Sequence, residues 1–194
     1  MTRALLIASL ALCFGCRSGP KKEFLLVADY SGSTEQARAQ QQAVFISTIE
    51  SADPNADFCL FRMGFSTDEV MSGSLDKTPE DAIIAKLKET MDASDKRRGT
   101  NFAKMAQALV GSIANSKANR IDIVVATDGG NDYASDGAAV AAYSGAISTI
   151  CGDDRMESVT FVGVRPEYRA SLRAAWSKAG DRLHLLDPAQ IASR

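Results

Sequence analysis

The run IDIVVAT at residues 121–127 is the feature that most constrains the fold of this chain. β-Branched residues dominate the run, and such residues favour strands. Its apolar centre is continuous, whereas a strand with one solvated face alternates apolar and polar residues. We therefore expect a strand that is buried on both faces, in a sheet covered by helices on both sides. The sequence Asp128-Gly129-Gly130 ends this strand sharply.

Strand-like and helix-like segments alternate along the rest of the chain. Strands are predicted within residues 24–34, 58–65, 70–75, 121–127, 158–164 and 182–186. Helices are predicted to start near residues 33, 78, 102, 136, 166 and 187. This alternation predicts an α/β fold, a doubly wound and mostly parallel sheet with helices on both faces.

Local signals refine the first two helices. Ser33 and Gln36 have the spacing of a capping box, so the first helix is expected to begin at Ser33. In the second helix, Ile84, Leu87 and Met91 recur at helical spacing and are expected to form the buried stripe.

Length and composition indicate one domain without affinity for nucleic acid. The chain has 194 residues, of which 45% are hydrophobic, which is enough for one sizeable core and short for two domains. Its formal net charge is −2, and no stripe of Lys and Arg follows a predicted helix. Such a chain supplies no cationic field for DNA or RNA, so nucleic acid is not expected as a partner.

The N-terminal residues 1–15 have the pattern of an export signal. Arg3 precedes an apolar run at residues 4–14, which is shorter than the ~20 residues of a membrane-spanning helix. Residues 16–23 read as a polar linker, and residues 24–194 as the folded domain. We therefore expect the protein to be exported to the bacterial cell envelope.

Gly15-Cys16 resembles the lipobox of bacterial lipoproteins, in which a small residue precedes a cysteine that becomes the lipidated N-terminus. The resemblance implies lipidation of Cys16 and a membrane anchor. Cleavage by an ordinary signal peptidase after Gly15 or Ser18 is the alternative, and it predicts a periplasmic or secreted protein.

Beyond Cys16, the chain has two cysteines, Cys59 and Cys151. Two cysteines in an exported chain invite a disulfide. However, Cys59 opens one predicted strand, and Cys151 precedes another strand that is expected several positions away in the sheet. A disulfide requires Cα atoms within ~7 Å, so both cysteines are expected to be unpaired.

Three polar clusters lie where predicted strands end or predicted helices start. Asp29, Ser31 and Ser33 follow the first strand, Thr100 precedes the third helix, and Asp128 ends the strand IDIVVAT. In doubly wound sheets, ligands bind at the carboxyl ends of the strands. Carboxylate and hydroxyl oxygens are hard ligands, which suit Mg²⁺ or Mn²⁺. The sequence therefore predicts a site for one of these cations.

These clusters resemble the metal-ion-dependent adhesion site of von Willebrand factor A domains. The matching residues are Asp29-Tyr30-Ser31-Gly32-Ser33, Gly99-Thr100-Asn101-Phe102 and Thr127-Asp128-Gly129. The resemblance spans nearly the whole chain after the signal. It implies a sheet in the strand order 3-2-1-4-5-6 with one short antiparallel edge strand. It further implies that Ser31, Ser33 and Thr100 are direct ligands, and that Asp29 and Asp128 bind mainly through water.

The resemblance also implies a function, which is cation-dependent binding of a partner protein. The metal in such a site keeps a coordination position for an Asp or Glu carboxylate of the partner. The expected protein is thus an adhesion-type module of the cell envelope. Tyr30 and Tyr133 are candidate aromatic anchors beside the site, although Tyr30 can equally pack beneath the turn.

Two other functions fit part of the pattern. A scaffold subunit of an envelope complex would carry the same metal site. A Mg²⁺-dependent phosphohydrolase of the aspartyl-phosphate type would use Asp29 as its nucleophile, but such enzymes usually have a second acid where this chain has Ser31. The single histidine, His184, lies in the last predicted strand and offers no catalytic triad. We therefore expect no enzymatic activity.

Overall fold

A computed structural model describes residues 21–31, 34, 37–92 and 99–187 of the chain. Strands and helices alternate through these residues, as the sequence predicts. In chain order they are β1 (Lys22–Asp29), α1 (Arg38–Glu50), β2 (Asp57–Met63), β3 (Thr67–Ser74), α2 (Glu80–Asp92), α3 (Phe102–Asn115), β4 (Arg120–Ala126), α4 (Gly137–Gly152), β5 (Met156–Val162), α5 (Pro166–Ala175) and β6 (Leu183–Leu186). No helix within the described ranges is long and apolar enough to cross a membrane.

The strands form a single six-stranded sheet in the order β3-β2-β1-β4-β5-β6. Neighbouring strands are parallel except β3, which is an antiparallel edge strand beside β2. The predicted fold class and strand order are therefore confirmed. The order reverses between β1 and β4, so the carboxyl ends of these two strands flank the crevice in which doubly wound sheets bind ligands.

The core lies on both faces of the sheet, which explains the continuous apolar runs. In β1, Leu25 and Val27 face α3, α4 and α5, whereas Phe24 and Leu26 face α1 and α2. Side chains of a strand alternate between the two faces, so a strand covered on both sides needs apolar residues at consecutive positions. β4 follows the same rule, because Ile123 and Val125 belong to the first half of the core and Val124 to the second.

The start of the first helix differs from the prediction. α1 begins at Arg38, and its N-cap residue Ala37 makes no side-chain capping hydrogen bond. The predicted capping-box residues Ser33 and Gln36 lie outside the described residues. Thr34 and Ala37 are in 3₁₀-helical turns ahead of α1, and the Thr34 hydroxyl donates to the Ser31 carbonyl at 2.9 Å. The capping box therefore stays a prediction.

Two smaller features also depart from the sequence prediction. In α2 the buried stripe uses Ile83 rather than Ile84, together with the predicted Leu87 and Met91. β1 begins at Lys22, so the strand includes two residues that the sequence assigns to the linker. The ion pair of Lys22 Nζ with Asp122 Oδ2, at 2.5 Å, holds this end of β1 against β4.

The two cysteines are unpaired, as predicted. Cys59 in β2 and Cys151 in α4 are both buried free thiols. Burial is the main cause that raises the pKa of Cys59 to about 12, and the nearby Glu69 carboxylate adds to it. Both thiols are therefore protonated at neutral pH and act as small apolar core residues.

Candidate metal site

The register of the central strands brings two of the polar clusters together. Ala28 of β1 lies opposite Ala126 of β4, so the next residues, Asp29 and Thr127, leave the sheet side by side. The Thr127 hydroxyl donates to Asp29 Oδ2 at 2.8 Å. The candidate site therefore begins at the point where the strand order reverses.

Asp29 is the centre of the site, and its side chain is surrounded by hydrogen-bond donors. The residue is only 1% exposed. The Ser31 backbone N–H donates to Asp29 Oδ1 at 2.9 Å. The Thr100 hydroxyl lies 3.3 Å from Oδ1 and 3.2 Å from Oδ2. Together with Thr127, these groups place three oxygen-bearing side chains around one buried carboxylate.

The electrostatics of Asp29 are those of a buried acid without a cationic partner in the described part of the chain. Burial raises the pKa of Asp29 to about 6, and the negative charge of Asp128 acts in the same direction. Hydrogen bonds from Ser31 and Thr127 act against this rise. Burial prevails because a carboxylate loses more solvation than these neutral donors return.

The loop before α3 positions Thr100 against Asp29. The Thr100 N–H donates to Asp132 Oδ2 at 2.7 Å, and the Asp132 N–H donates to the Thr100 carbonyl at 3.1 Å. On the other side, the Asn101 N–H donates to the Gly64 carbonyl at 3.0 Å. Asn101 also caps α3, since its Oδ1 accepts from the Lys104 N–H at 3.1 Å. These hydrogen bonds fix the backbone at and after Thr100 and thereby position its hydroxyl.

Asp128 forms the second acidic part of the site. Its Oδ1 accepts from the Gly130 N–H at 2.9 Å, and its Oδ2 lies 3.0 Å from the Arg165 guanidinium. Gly129 has a φ of +91°, and a Cβ there would lie 2.9 Å from the side chain of Tyr168. Only glycine fits this turn without strain or collision, which explains why Gly129 follows Asp128.

The chemistry of these residues fits Mg²⁺ or Mn²⁺. The side chains offer carboxylate and hydroxyl oxygens, and the buried Asp29 has hydrogen-bond donors around it but lacks a compensating positive charge among its described neighbours. The described residues contain no cluster of three or more His, Cys, Asp or Glu side chains suited to a metal. The donor chemistry favours a hard cation, because carboxylate and hydroxyl oxygens suit Mg²⁺ or Mn²⁺ better than they suit a thiolate- or imidazole-preferring ion.

Four of the predicted site residues lie together, namely Asp29, Ser31, Thr100 and Asp128. The fifth predicted metal ligand, Ser33, and the predicted lipidation site, Cys16, lie outside the described residues. Thr127, Asp132 and Arg165 also contribute to the site; Thr127 belongs to the matching stretch Thr127-Asp128-Gly129 but was not predicted as a ligand, and Asp132 and Arg165 were not predicted. Thr127 had a local signal, its position beside Asp128 at the strand end, whereas Asp132 and Arg165 have none.

The aromatic residues near the site are one buried ring, Tyr30, and a pair formed by the exposed Phe65 and the half-buried Tyr133. Tyr30 is buried and packs against Gly64, so it is not an anchor for a partner. Phe65 is 59% exposed, and its ring lies 5.9 Å from that of Tyr133 in an edge-to-face arrangement. Both rings are next to residues that hold the Thr100 loop, since Phe65 follows Gly64 and Tyr133 follows Asp132.

Known structures with the same architecture identify the fold. The chain is similar to a von Willebrand factor type A protein from Catenulispora acidiphila, with a TM-score of 0.64 and 17% identity over 89% of this chain. The chain has the von Willebrand factor A fold. It spans 40% of the length of that protein. No protein-family model and no curated protein sequence matches it.

Two further structures that resemble this chain are a manganese-loaded protein and a pilus adhesin. The manganese-loaded TRAP protein of Plasmodium vivax has a TM-score of 0.61 and 13% identity, and the match covers 90% of this chain and 71% of TRAP. The pilus adhesin SpaC of Lactobacillus rhamnosus GG has a TM-score of 0.63 and 13% identity, covering 91% of this chain and 29% of SpaC. At these identities, the similarity establishes the fold.

Proposed function

We propose that this chain is a divalent-cation-dependent protein-binding module of the adhesion type. The observation that carries the proposal is the Asp29 carboxylate, which is buried at the strand-order reversal among hydroxyl groups and lacks a cationic neighbour in the described chain. A charge in this environment is costly unless a positive charge offsets it.

The residues that would hold the cation are Asp29, Ser31, Thr100 and Asp128, with Ser33 as the remaining predicted ligand. Mg²⁺ or Mn²⁺, when bound, supplies a positively charged position that accepts an Asp or Glu carboxylate of a partner protein. Thr100 and Asp29 orient each other through their hydrogen bonds, and the reciprocal bonds with Asp132 fix the Thr100 backbone. The site is therefore preorganised for binding at one edge of the sheet.

The similar structures support this proposal through what is known of those proteins. TRAP was crystallised loaded with manganese, which supports a hard divalent cation in a site on this fold. SpaC is a pilus adhesin, which supports protein binding at the cell surface.

We propose binding rather than catalysis as the function of the site. Both Asp29 oxygens accept hydrogen bonds from protein groups, and Ser31 stands where a phosphohydrolase would need its second acid. His184 is exposed in the edge strand β6, beside Thr160. A phosphatase activity that Asp29→Asn abolishes would contradict this part of the proposal.

The first test is the effect of divalent cations on thermal unfolding. At a hundred times its Kd, a cation that binds the folded state adds about 2.7 kcal/mol of stability, which corresponds to a rise in Tm of roughly 5–10 °C for a chain of this size. We expect Mg²⁺ or Mn²⁺ to produce this rise in the wild-type protein. Asp29→Ala and Asp128→Ala should lose it.

Asp122→Ala is the matched control for this measurement. Asp122 is an aspartate like Asp29 and Asp128, but it lies near the amino end of β4, away from the site, and pairs with Lys22. The variant should unfold earlier and still gain stability from the cation. Melting curves of the wild-type protein that do not change with Mg²⁺ or Mn²⁺ would contradict the metal site.

The second test separates adhesion from a scaffold role. Immobilised wild-type protein should retain a partner from envelope extract in the presence of Mg²⁺ and release it with chelator, whereas immobilised Asp29→Ala protein should retain none. Retention that is insensitive to chelator and to Asp29→Ala would indicate a scaffold whose metal is structural. Mass spectrometry of the eluted material identifies the partner.

We further propose that the protein is exported and anchored in the envelope through a lipid on Cys16. The observation behind this proposal is the export signal followed by Gly15-Cys16. The mass of the N-terminal peptide of the exported protein should correspond to an acylated Cys16. An unmodified peptide that starts at another residue would contradict the anchor and leave the binding proposal intact.

A further inference from the structure

Arg165 brings a positive charge to one of the two candidate acidic ligands. It lies just after β5, at the N-cap position of α5, and makes no side-chain capping hydrogen bond there. Its guanidinium lies 3.0 Å from Asp128 Oδ2, and its backbone N–H donates to the Asp128 carbonyl at 2.9 Å. The Asp128 side chain is 6% exposed and that of Arg165 is 44% exposed. The guanidinium thus covers an almost buried carboxylate from the solvent side.

The negative charges of Asp29 and Asp128 are therefore compensated in different ways. Asp29 is surrounded by neutral N–H and O–H donors. In Asp128, one oxygen accepts from the Gly130 N–H and the other faces Arg165. A cation that uses Asp128, directly or through water, has to share this second oxygen with the guanidinium or displace it.

We infer that Arg165 sets the cation affinity of the site by competing with the metal for Asp128. The inference rests on the proposed function. Without metal, the guanidinium neutralises Asp128 and stabilises the empty site. With metal, two positive charges meet at one carboxylate, and like charges repel in a partly buried environment. The side chain of Arg165 therefore lowers the affinity of the site for Mg²⁺ and Mn²⁺.

A purely structural role for the ion pair makes a different prediction. Arg165 also lies 3.9 Å from Glu167, in the first turn of α5, so the structural alternative is that the ion pair with Asp128 serves only to start this helix. In that case, removing the guanidinium would destabilise the protein equally with and without metal. The cation affinity would stay the same.

Calorimetric titration of Mn²⁺ into chelator-stripped protein, as exported and purified from a bacterial host, distinguishes the two roles. A partly exposed ion pair contributes up to about 1 kcal/mol, which corresponds to about fivefold in Kd. We expect Arg165→Gln to bind Mn²⁺ about fivefold more tightly than the wild type. Arg165→Lys, which keeps the charge, should stay close to the wild type.

Arg173→Gln is the matched control, because Arg173 is an exposed arginine further along the same helix. Its removal changes the net charge of the protein by the same amount and should leave the Kd for Mn²⁺ unchanged. An equal gain in affinity for Arg165→Gln and Arg173→Gln would show that the change in net charge alone causes the effect. This result would overturn the inference.

Urea unfolding with chelator gives a readout that needs no metal. Arg165→Gln should be less stable than the wild type, and this difference should shrink when both proteins also carry Asp128→Asn. Saturating Mn²⁺ should likewise reduce the difference. A deficit of the same size with and without Asp128→Asn overturns the inference, because the stabilisation by Arg165 would then not depend on Asp128.

The outcomes also separate this inference from the proposed function. If the wild type binds Mn²⁺ and Arg165→Gln binds it equally or more weakly, the inference fails and the metal site stands. If neither protein binds Mn²⁺, both fail. Binding by Arg165→Gln alone supports the inference and shows that Arg165 keeps the wild-type site empty at the cation concentration used.

Discussion

At the scale of single residues, Asp29 holds the site together at a cost to stability. The carboxylate accepts hydrogen bonds from Ser31, Thr100 and Thr127, which join the ends of β1 and β4 with the loop before α3. Burial nevertheless raises the pKa of Asp29 to about 6, above the value of 3.8 for an exposed aspartate. The ionised form is therefore disfavoured in the folded protein without metal.

This raised pKa predicts a pH dependence of stability. Between about pH 4 and pH 6 the folded state binds a proton at Asp29 that the unfolded state has lost, so the free energy of unfolding falls as the pH rises. The shift of roughly two pH units corresponds to about 3 kcal/mol, lost in full above pH 6. Urea unfolding with chelator from pH 4 to pH 7 measures this loss.

Asp29→Asn supplies the comparison, because the amide cannot ionise. The free energy of unfolding of this variant should lack the part of the fall between pH 4 and pH 6 that Asp29 causes. The difference between the two curves therefore gives the contribution of Asp29 separately from that of the other acids. Mg²⁺ should restore the wild-type stability above pH 6 and have no such effect on the variant. Parallel curves for the two proteins would mean that the Asp29 pKa is not raised.

At the scale of secondary-structure elements, the site depends on how the loop at residues 99–101 enters α3. A Cβ at Gly99 would lie 2.6 Å from Asp132 Oδ2, the atom that accepts the Thr100 N–H. A larger residue at this position must push the Asp132 carboxylate away. Glycine before Thr100 therefore leaves Asp132 free to accept the Thr100 N–H, and a side chain there disturbs this hydrogen bond.

Gly99→Ala should accordingly weaken cation binding. Loss of the hydrogen bond between Asp132 and Thr100 would cost about 1 kcal/mol, equivalent to about a fivefold rise in the Kd for Mg²⁺. Gly111→Ala is the control, because Gly111 lies in α3, the helix that follows this loop, and a Cβ there meets no atom within 4 Å. Calorimetric titration of both variants gives the Kd.

The control should also gain stability, since alanine favours a helix interior by about 1 kcal/mol over glycine. Gly111→Ala should thus melt at a higher temperature and bind Mg²⁺ as the wild type does. Equal Kd values for Gly99→Ala and the wild type would show that Asp132 does not position Thr100 for the metal.

Hydrophobic periodicity in the sequence was sufficient to predict where strands and helices lie. It was insufficient to predict the residues at which they begin and end near the site. The apolar run of β4 and the buried face of α3 were predicted from local patterns, because burial on one or two faces dictates them. The regular part of α1 begins at Arg38, after 3₁₀-helical turns at Thr34 and Ala37, whereas the predicted capping box at Ser33 and Gln36 stays a prediction. Side-chain to backbone hydrogen bonds such as that of Thr34 to the Ser31 carbonyl help to decide such ends and have no periodic signature.

At the scale of the whole molecule, the site is assembled from segments far apart in the chain. Asp29 and Thr127 meet because β1 and β4 are adjacent and in register. Strand order therefore brings the clusters together, and the sequence resemblance predicted that order. Asp132 lies in a loop and Arg165 at the start of α5. No local sequence pattern predicts that these two segments pass beside the site, so only the structure reveals the contributions of Asp132 and Arg165.

The same end of the sheet carries an exposed aromatic side chain, Phe65. Phe65, at the turn between β2 and β3, and Val140, in α4, are the most exposed large apolar side chains of the described residues. A single exposed apolar residue needs no explanation. Phe65, however, packs against Tyr133 beside the loop that carries Thr100, whereas Val140 is in the first turns of α4.

Phe65→Ser should therefore weaken binding of the partner that chelator releases. Exposed aromatic residues near the centre of an interface often contribute more than 1 kcal/mol, so we expect at least a roughly fivefold rise in the Kd for that partner. The Kd for Mg²⁺ should stay the same, because Phe65 supplies no ligand. Val140→Ser removes an apolar side chain of similar exposure and should leave both constants unchanged. Equal partner affinities for Phe65→Ser and Val140→Ser would place the contact surface elsewhere on the molecule.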